Sequence, residues 1–355
     1  MREMIQSSEK TRELLTEHYH RYPKLEAEDI FKYLFQSAFG CEHLVAGEAE
    51  VLHLIKREYQ SLPKELPPVT ETLDGDYSRV FLSHINGGLK AETLAKLFSL
   101  SAKKEPNGRA FLEQKICVAR ELVANGKIPL DIAELDAKIF QWKSIGFPAV
   151  RHSEVFRSEY QPSYRVISNR YAELLQVFSK IDVLLDRGNA VICIEGGSAS
   201  GKTTLAQILN EVYDCNVFHT DDFFLRPEQR TVQRLAEVGG NLDRERFLDE
   251  VVKPLRKSKP VRYRPFDCSS QSLGEPITVT PKKLTVVEGV YSMHPAFDEY
   301  YNLSVFLDIS SERQRARILK RNATSLANRF FEEWIPLEKE YFSKMRVKER
   351  CSLSI

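Results

Sequence analysis

The sequence predicts a parallel α/β sheet flanked by helices in its C-terminal half, preceded by a mostly α-helical region. Three observations carry this. Short β-branched runs at 190–195, 216–219, 284–288 and 303–308 alternate with helical stretches, the pattern of parallel strands joined by crossover helices. A glycine-rich turn separates the first of these runs from a helix pattern. Before residue 150, apolar residues recur at helical spacing instead.

The helical region is read from Leu14-Leu15, Ile30-Phe31, Leu34-Phe35, Ala38-Phe39, Val51-Leu52 and Leu54-Ile55, and from stretches 91–100 and 110–124. Residues 131–143 add a short amphipathic helix that stops before Gly146-Phe147-Pro148. Turns are marked by Pro63, Pro67-Pro68, Asp74-Gly75, Gly87-Gly88, Pro106-Asn107-Gly108 and Asn125-Gly126. A polar, aromatic connector follows, then a predicted long helix from about 166 to 185, stopped at Asp186-Arg187-Gly188-Asn189. The expected organisation is therefore 1–150 helical, 151–187 connector and long helix, and 188–355 the α/β domain.

A length of 355 residues suits about two domains. Lys+Arg 51 against Asp+Glu 50 leaves a net charge of +1. The first 150 residues hold 20 basic and 22 acidic residues and the remainder 31 and 28, so neither half is a charged tail. This balance excludes a basic nucleic-acid coat and a self-repelling disordered chain. The charged N-terminus has no signal-peptide core, and no apolar run reaches the ~18 residues of a membrane span. Six scattered cysteines without a C-x-x-C pair indicate reduced thiols and a cytoplasmic protein. None of the eight histidines has a recognised metal spacing. Glu42-His43 with His53 and His84 is the one grouping in the helical region that could converge on a metal. Runs 74–79 and 83–88 are its most functional-looking segment, though two turns would explain them. Trp142 and Trp334 read as core anchors.

The strongest motif is Gly196-Gly197-Ser198-Ala199-Ser200-Gly201-Lys202-Thr203, which fits G-x-x-x-x-G-K-[ST]. It follows the apolar run Val191-Ile192-Cys193-Ile194 and opens a helix pattern at Thr204. Glycines let successive backbone N–H groups form an anion nest, and the helix adds its positive end. Lys202 is expected on the β- and γ-phosphates of ATP and the Thr203 hydroxyl on Mg²⁺. The fold class is thus a P-loop NTPase-type parallel sheet.

Beyond this loop, the pieces His219-Thr220-Asp221-Asp222-Phe223-Phe224, Gly240-Asn241-Leu242-Asp243, Tyr263-Arg264-Pro265-Phe266-Asp267, Val286-Val287-Glu288-Gly289-Val290 and the arginine-rich stretch 313–321 follow in order. Together they resemble the uridine kinase/phosphoribulokinase family, and Asp-Asp-Phe-Phe is also similar to nicotinamide riboside kinases. The resemblance covers about half the chain, and residues 1–150 have no counterpart in it.

It implies an ATP-dependent kinase acting on a hydroxyl of a small metabolite, a nucleoside or related ribosyl compound. It implies Asp221 as general base toward the acceptor, Glu288 as a holder of Mg²⁺, and Asp222 as a second carboxylate near the metal. Helix N-capping by Asp221 or Asp222, and a solvent-facing Glu288, are the competing readings. Arg317 and Arg321 would belong to a lid that neutralises phosphate charge, with Arg313, Arg315 and Arg329 also candidates; a solvated basic face competes. Asp243 would accept bonds from ribose hydroxyls, and Tyr263 and Asp267 would contact the base. Arg264 and Pro265 interrupt that last step, and Arg262 or Arg264 would suit a sugar phosphate or a pantothenate-like acceptor. A turn tyrosine packed under a proline is an equal reading of Tyr263. The rival from another class is a regulatory nucleotide-binding protein whose helical domain binds a partner. No nucleic-acid or membrane partner is expected, and the oligomeric state stays open.

Overall fold

The computed structural model describes residues 2–41, 47–102 and 105–355. Two compact units divide the chain, Met1–Ser179 and Lys180–Ile355.

In the first unit the order is α1 (Arg2–Arg21), α2 (Ala27–Phe39), α3 (Glu48–Gln60), β1 (Thr70–Thr72), β2 (Tyr77–Phe81), α4 (Ala91–Ser101), α5 (Gly108–Ala124), α6 (Ile132–Ser144), α7 (Glu154–Tyr160), β3 (Tyr164–Ser168) and α8 (Asn169–Ala172). The helices buried along their apolar stripes match the predicted ones. Trp142 of α6 lies stacked on Phe31 of α2, with ring centroids 4.8 Å apart, and its indole N–H donates to Pro148 O. The unit also holds an antiparallel sheet, β1-β2-β3, that periodicity does not reveal. Residues 166–185 accordingly do not form one long helix. Val166 and Ile167 pair with Arg79 and Ser78 in β3, because β-branched side chains settle on a partner strand when tertiary context supplies one. The single turn of α8 follows, and the longer helix is confined to α9 (Leu175–Arg187), within which the division between the units falls. Glu42 and His43 lie outside the described residues.

The second unit continues with β4 (Ala190–Gly196), α10 (Lys202–Tyr213), β5 (Asn216–His219), α11 (Val232–Leu235), α12 (Arg244–Phe247), α13 (Lys253–Arg256), β6 (Val261–Tyr263), β7 (Phe266–Asp267), β8 (Ser272–Leu273), β9 (Ile277–Val279), β10 (Leu284–Glu288), β11 (Leu303–Leu307), α14 (Ser311–Arg321), α15 (Thr324–Arg329), α16 (Ile335–Lys344), α17 (Val347–Arg350) and β12 (Leu353–Ser354). Five strands form a parallel sheet in the order β12-β11-β4-β10-β5. The four predicted strands are all in it. Each of β10 and β11 is buried at every position, as expected where helices cover both faces. Beneath the sheet, Phe218, Phe223, Phe247, Val287, Phe297 and Tyr341 share one apolar cluster. No described helix is long and apolar enough to cross a membrane.

Candidate active site

Ligands of open parallel sheets gather at the carboxyl ends of the strands, and there the register assembles the candidate residues. Glu288, the last residue of β10, pairs with His219 of β5 on one side and Ile194 of β4 on the other. The loop 196–203 leaves β4 and enters α10 at Lys202. The Thr220–Phe223 turn leaves β5 immediately after His219. Glycine is required at the adjoining Gly289: its φ is +132°, and a Cβ there would fall 2.0 Å from Thr220 Oγ1.

Within the loop, the Lys202 ammonium donates to Gly196 O at 2.8 Å and Gly197 O at 3.0 Å. The Thr203 hydroxyl donates to Glu288 Oε1 at 2.9 Å, and His219 Nδ1 lies 2.6 Å from the same oxygen. Glu288 is 5% exposed. Burial pushes its pKa up, but the His219 and Thr203 bonds outweigh burial and hold the carboxyl below its ordinary value. The same pairing raises His219. A carboxylate and a hydroxyl this close are hard oxygen donors of the type that suits Mg²⁺. Thr204 lies exposed in the first turn of α10.

Asp221 keeps contact with solvent but is otherwise crowded by protein. That crowding raises its carboxyl above the usual Asp range, with Glu288 adding to the effect while Lys202 and His219 oppose it. Asp222 is also raised, chiefly by burial. Its Oδ2 accepts from the Tyr263 hydroxyl at 3.3 Å, which sets Asp222 beside the expected acceptor residues. Tyr263 is buried and stacked on Phe223, with ring centroids 5.3 Å apart. Asp243 is 3% exposed. It caps α12 by accepting from Arg246 N at 3.2 Å and also accepts from Gln229 Nε2 at 2.9 Å.

Arg264 and Asp267 do not converge here, whereas Arg317 reaches the loop. Arg264 donates to Gly274 O and Leu273 O of the adjoining β7–β8 hairpin. Asp267 is exposed and accepts from Ser269 N, Ser269 Oγ and Ser270 Oγ in its own turn. Those bonds lower its pKa to about 2, the Ser269 hydroxyl first. Both residues therefore serve the hairpin, where short-range partners satisfy them. Arg317 donates to Ala199 O at 2.9 Å and Ser200 O at 3.1 Å, gripping loop carbonyls. Arg321 is exposed in the last turn of α14.

Two loop partners have no counterpart in the expected set. Gln314 Nε2 of α14 donates to Ser198 O at 2.9 Å, and Glu338 of α16 accepts from both Ser198 N and Ser198 Oγ. They lie 116 and 140 residues from Ser198. Their local trace is a polar side chain on an otherwise buried helix face, with Ile318 beside Gln314 and with Ile335 and Tyr341 flanking Glu338.

Comparison with known proteins finds partial matches. A curated uridine kinase from Chlamydia pneumoniae is 26% identical over 140 residues, 37% of this chain and 61% of that protein. The chain thus matches less than two thirds of that relative. A solved structure described as a possible uridine kinase from Bacillus stearothermophilus is 20% identical and covers 51% of this chain and 99% of that one, with a TM-score of 0.39. The C-terminal unit is a P-loop NTPase-type parallel sheet flanked by helices, and residues 191–327 of this chain match the model of the Phosphoribulokinase / Uridine kinase family.

Proposed function

We propose that the C-terminal unit transfers the γ-phosphoryl group of ATP to a hydroxyl of a small metabolite, a nucleoside or related ribosyl compound. One observation carries the reading: Lys202, the Thr203–Glu288 pair and Asp221 stand at adjoining strand ends around a single phosphate loop. In this reading the loop amides and Lys202 hold the phosphates. Thr203 and Glu288 would hold Mg²⁺, whose charge would offset that of the phosphates. Asp221 accepts the acceptor hydroxyl's proton as the new P–O bond forms and the γ-phosphorus–bridging-oxygen bond breaks to release ADP. Its raised pKa suits a carboxylate that must take up a proton. Asp222, Tyr263 and Asp243 form the acceptor side. Arg264, bound to hairpin carbonyls, is not poised to pair with an anionic acceptor.

The test is phosphoproduct mass spectrometry across a metabolite panel with ATP. Nucleosides or ribosyl compounds should gain one phosphoryl group. Lys202→Ala should abolish the product, and Asp221→Asn should lower kcat by about 10²–10⁴-fold, the usual range for a lost general base. ATP hydrolysis stimulated only by a macromolecule would instead favour a nucleotide-dependent switch.

A further inference from the structure

Ser198, the third residue of the phosphate loop, has all its polar groups taken by two helices late in the chain. Its N–H donates to Glu338 Oε2 at 2.9 Å, and its hydroxyl donates to Glu338 Oε1. Its carbonyl accepts from Gln314 Nε2. The next residue, Ala199, stands at φ +60°, a left-handed conformation that costs any residue with a Cβ free energy. The carbonyls of Ala199 and Ser200 are then held by Arg317. The strained step is therefore fastened on both sides.

Glu338 is the unusual member of this set. It is 6% exposed, and among the described residues no cation forms an ion pair with it. A buried carboxylate needs compensating donors, and those it has are both on Ser198. A Cβ at Gly197 would sit 2.9 Å from Gln314 Nε2 and displace that amide, while lying at an ordinary contact distance of 3.5 Å from Glu338 Oε2. One turn further along α16, the Tyr341 hydroxyl donates to Glu195 Oε1 at 2.9 Å. Glu195 immediately precedes the loop. A single helix, whose Glu338 and Tyr341 lie outside the family-matched residues 191–327, thus holds both the entry to the loop and its third residue.

We propose that Glu338 is a positioning residue for the phosphate loop, fixing Ser198 so that the left-handed turn at Ala199 is set before nucleotide arrives. This rests on reading the loop as the ATP site. A glycine- and serine-rich loop left free would have to order on binding, and that ordering weakens affinity. The brace lowers this cost in advance.

Two measurements test it: amide hydrogen exchange of residues 196–203 without ligand, and ATP titration with steady-state kinetics. In Glu338→Ala, loop exchange should quicken, and Kd and KM for ATP should rise roughly tenfold, the scale of one charge-assisted hydrogen bond. The change in kcat should stay within about twofold, as for a loss of uniform binding. Glu338→Gln retains an acceptor oxygen and should fall close to wild type, which also guards against a mere folding defect. Ala199→Gly removes the conformational strain and should recover part of the affinity when combined with Glu338→Ala. Unchanged exchange and affinity in Glu338→Ala, or tighter ATP binding, overturns the role. A wild-type protein that never saturates with ATP overturns the nucleotide reading and this role together. One that saturates while the variant matches it overturns this role alone.

Discussion

Glu288 shows how one carboxylate can organise several neighbours. Its Oε1 takes bonds from Thr203 and His219, and the residue after it must be glycine. A methyl group at Gly289 would meet Thr220 Oγ1 at 2.0 Å in a backbone conformation that L side chains rarely adopt. That hydroxyl is already committed, donating to Val290 O at 2.9 Å, and it precedes Asp221. Gly289→Ala should therefore destabilise the protein by about 2–4 kcal/mol, combining backbone strain with a core clash. The site should suffer too, through displaced Thr220 and Asp221. Urea denaturation provides the measure, and an unchanged midpoint would refute the close-approach argument. A comparable constraint operates in the first unit, where Glu71 accepts from the wholly buried Arg79 at 3.2 Å and pairs with His18 at 2.5 Å. Burial raises the Glu71 carboxyl, but these partners prevail and hold it at about 2.

At the scale of elements, what could be read from the sequence followed from how local each signal was. Strands β4, β5, β10 and β11 are short apolar runs bounded by turns, and their limits were legible to within one residue. The loop was equally plain, since its glycines, Lys202 and Thr203 carry the chemistry in eight consecutive positions. Helix α6 was legible as an amphipathic stretch, read over 131–143 and found at Ile132–Ser144, and Asp131 caps it, its side chain accepting from Glu134 N at 2.8 Å. Asp131→Ala should lower stability by about 1 kcal/mol, with Asp131→Ser close to neutral; equal losses in a melting comparison would show that the cap contributes nothing. The antiparallel sheet of the first unit was hidden for the opposite reason. β1 is only 3 residues long, and four of the five residues of β2 are buried, so the usual alternation is missing. Its buried charge, Arg79, makes β2 look like a surface segment. In the second unit, Tyr263-Arg264-Pro265-Phe266-Asp267 looked like a ligand step, yet Arg264 and Asp267 answer to their own hairpin. Glu338 and Gln314 were illegible because the partner that explains them is more than 100 residues away.

Across the molecule, each unit encloses an ionisable group shifted so as to make stability respond to pH, and the two responses oppose each other. In the first unit His152 is held between Asp29 Oδ1 at 2.7 Å and the Tyr164 hydroxyl at 2.7 Å. Burial lowers its pKa from 6.5 to about 4, against the pull of Asp29. An unfolded chain therefore binds the extra proton first, and stability contributed here is lost as pH falls from 6.5 toward 4. In the second unit burial raises Glu195 from 4.5 to about 7, although Met293 N and the Tyr341 hydroxyl donate to it. Here the folded chain holds the proton more tightly, so stability is full below 4.5 and is lost as pH rises through 7. Each contribution has an upper bound of about 3 kcal/mol at 1.36 kcal/mol per pKa unit. Glu195→Gln retains an acceptor for Met293 N and the Tyr341 hydroxyl but cannot ionise. Its Tm relative to wild type should grow from pH 5 to about pH 7 and level off above that. Melting curves of the two proteins that run parallel over that range would show that Glu195 does not hold a proton in the folded state.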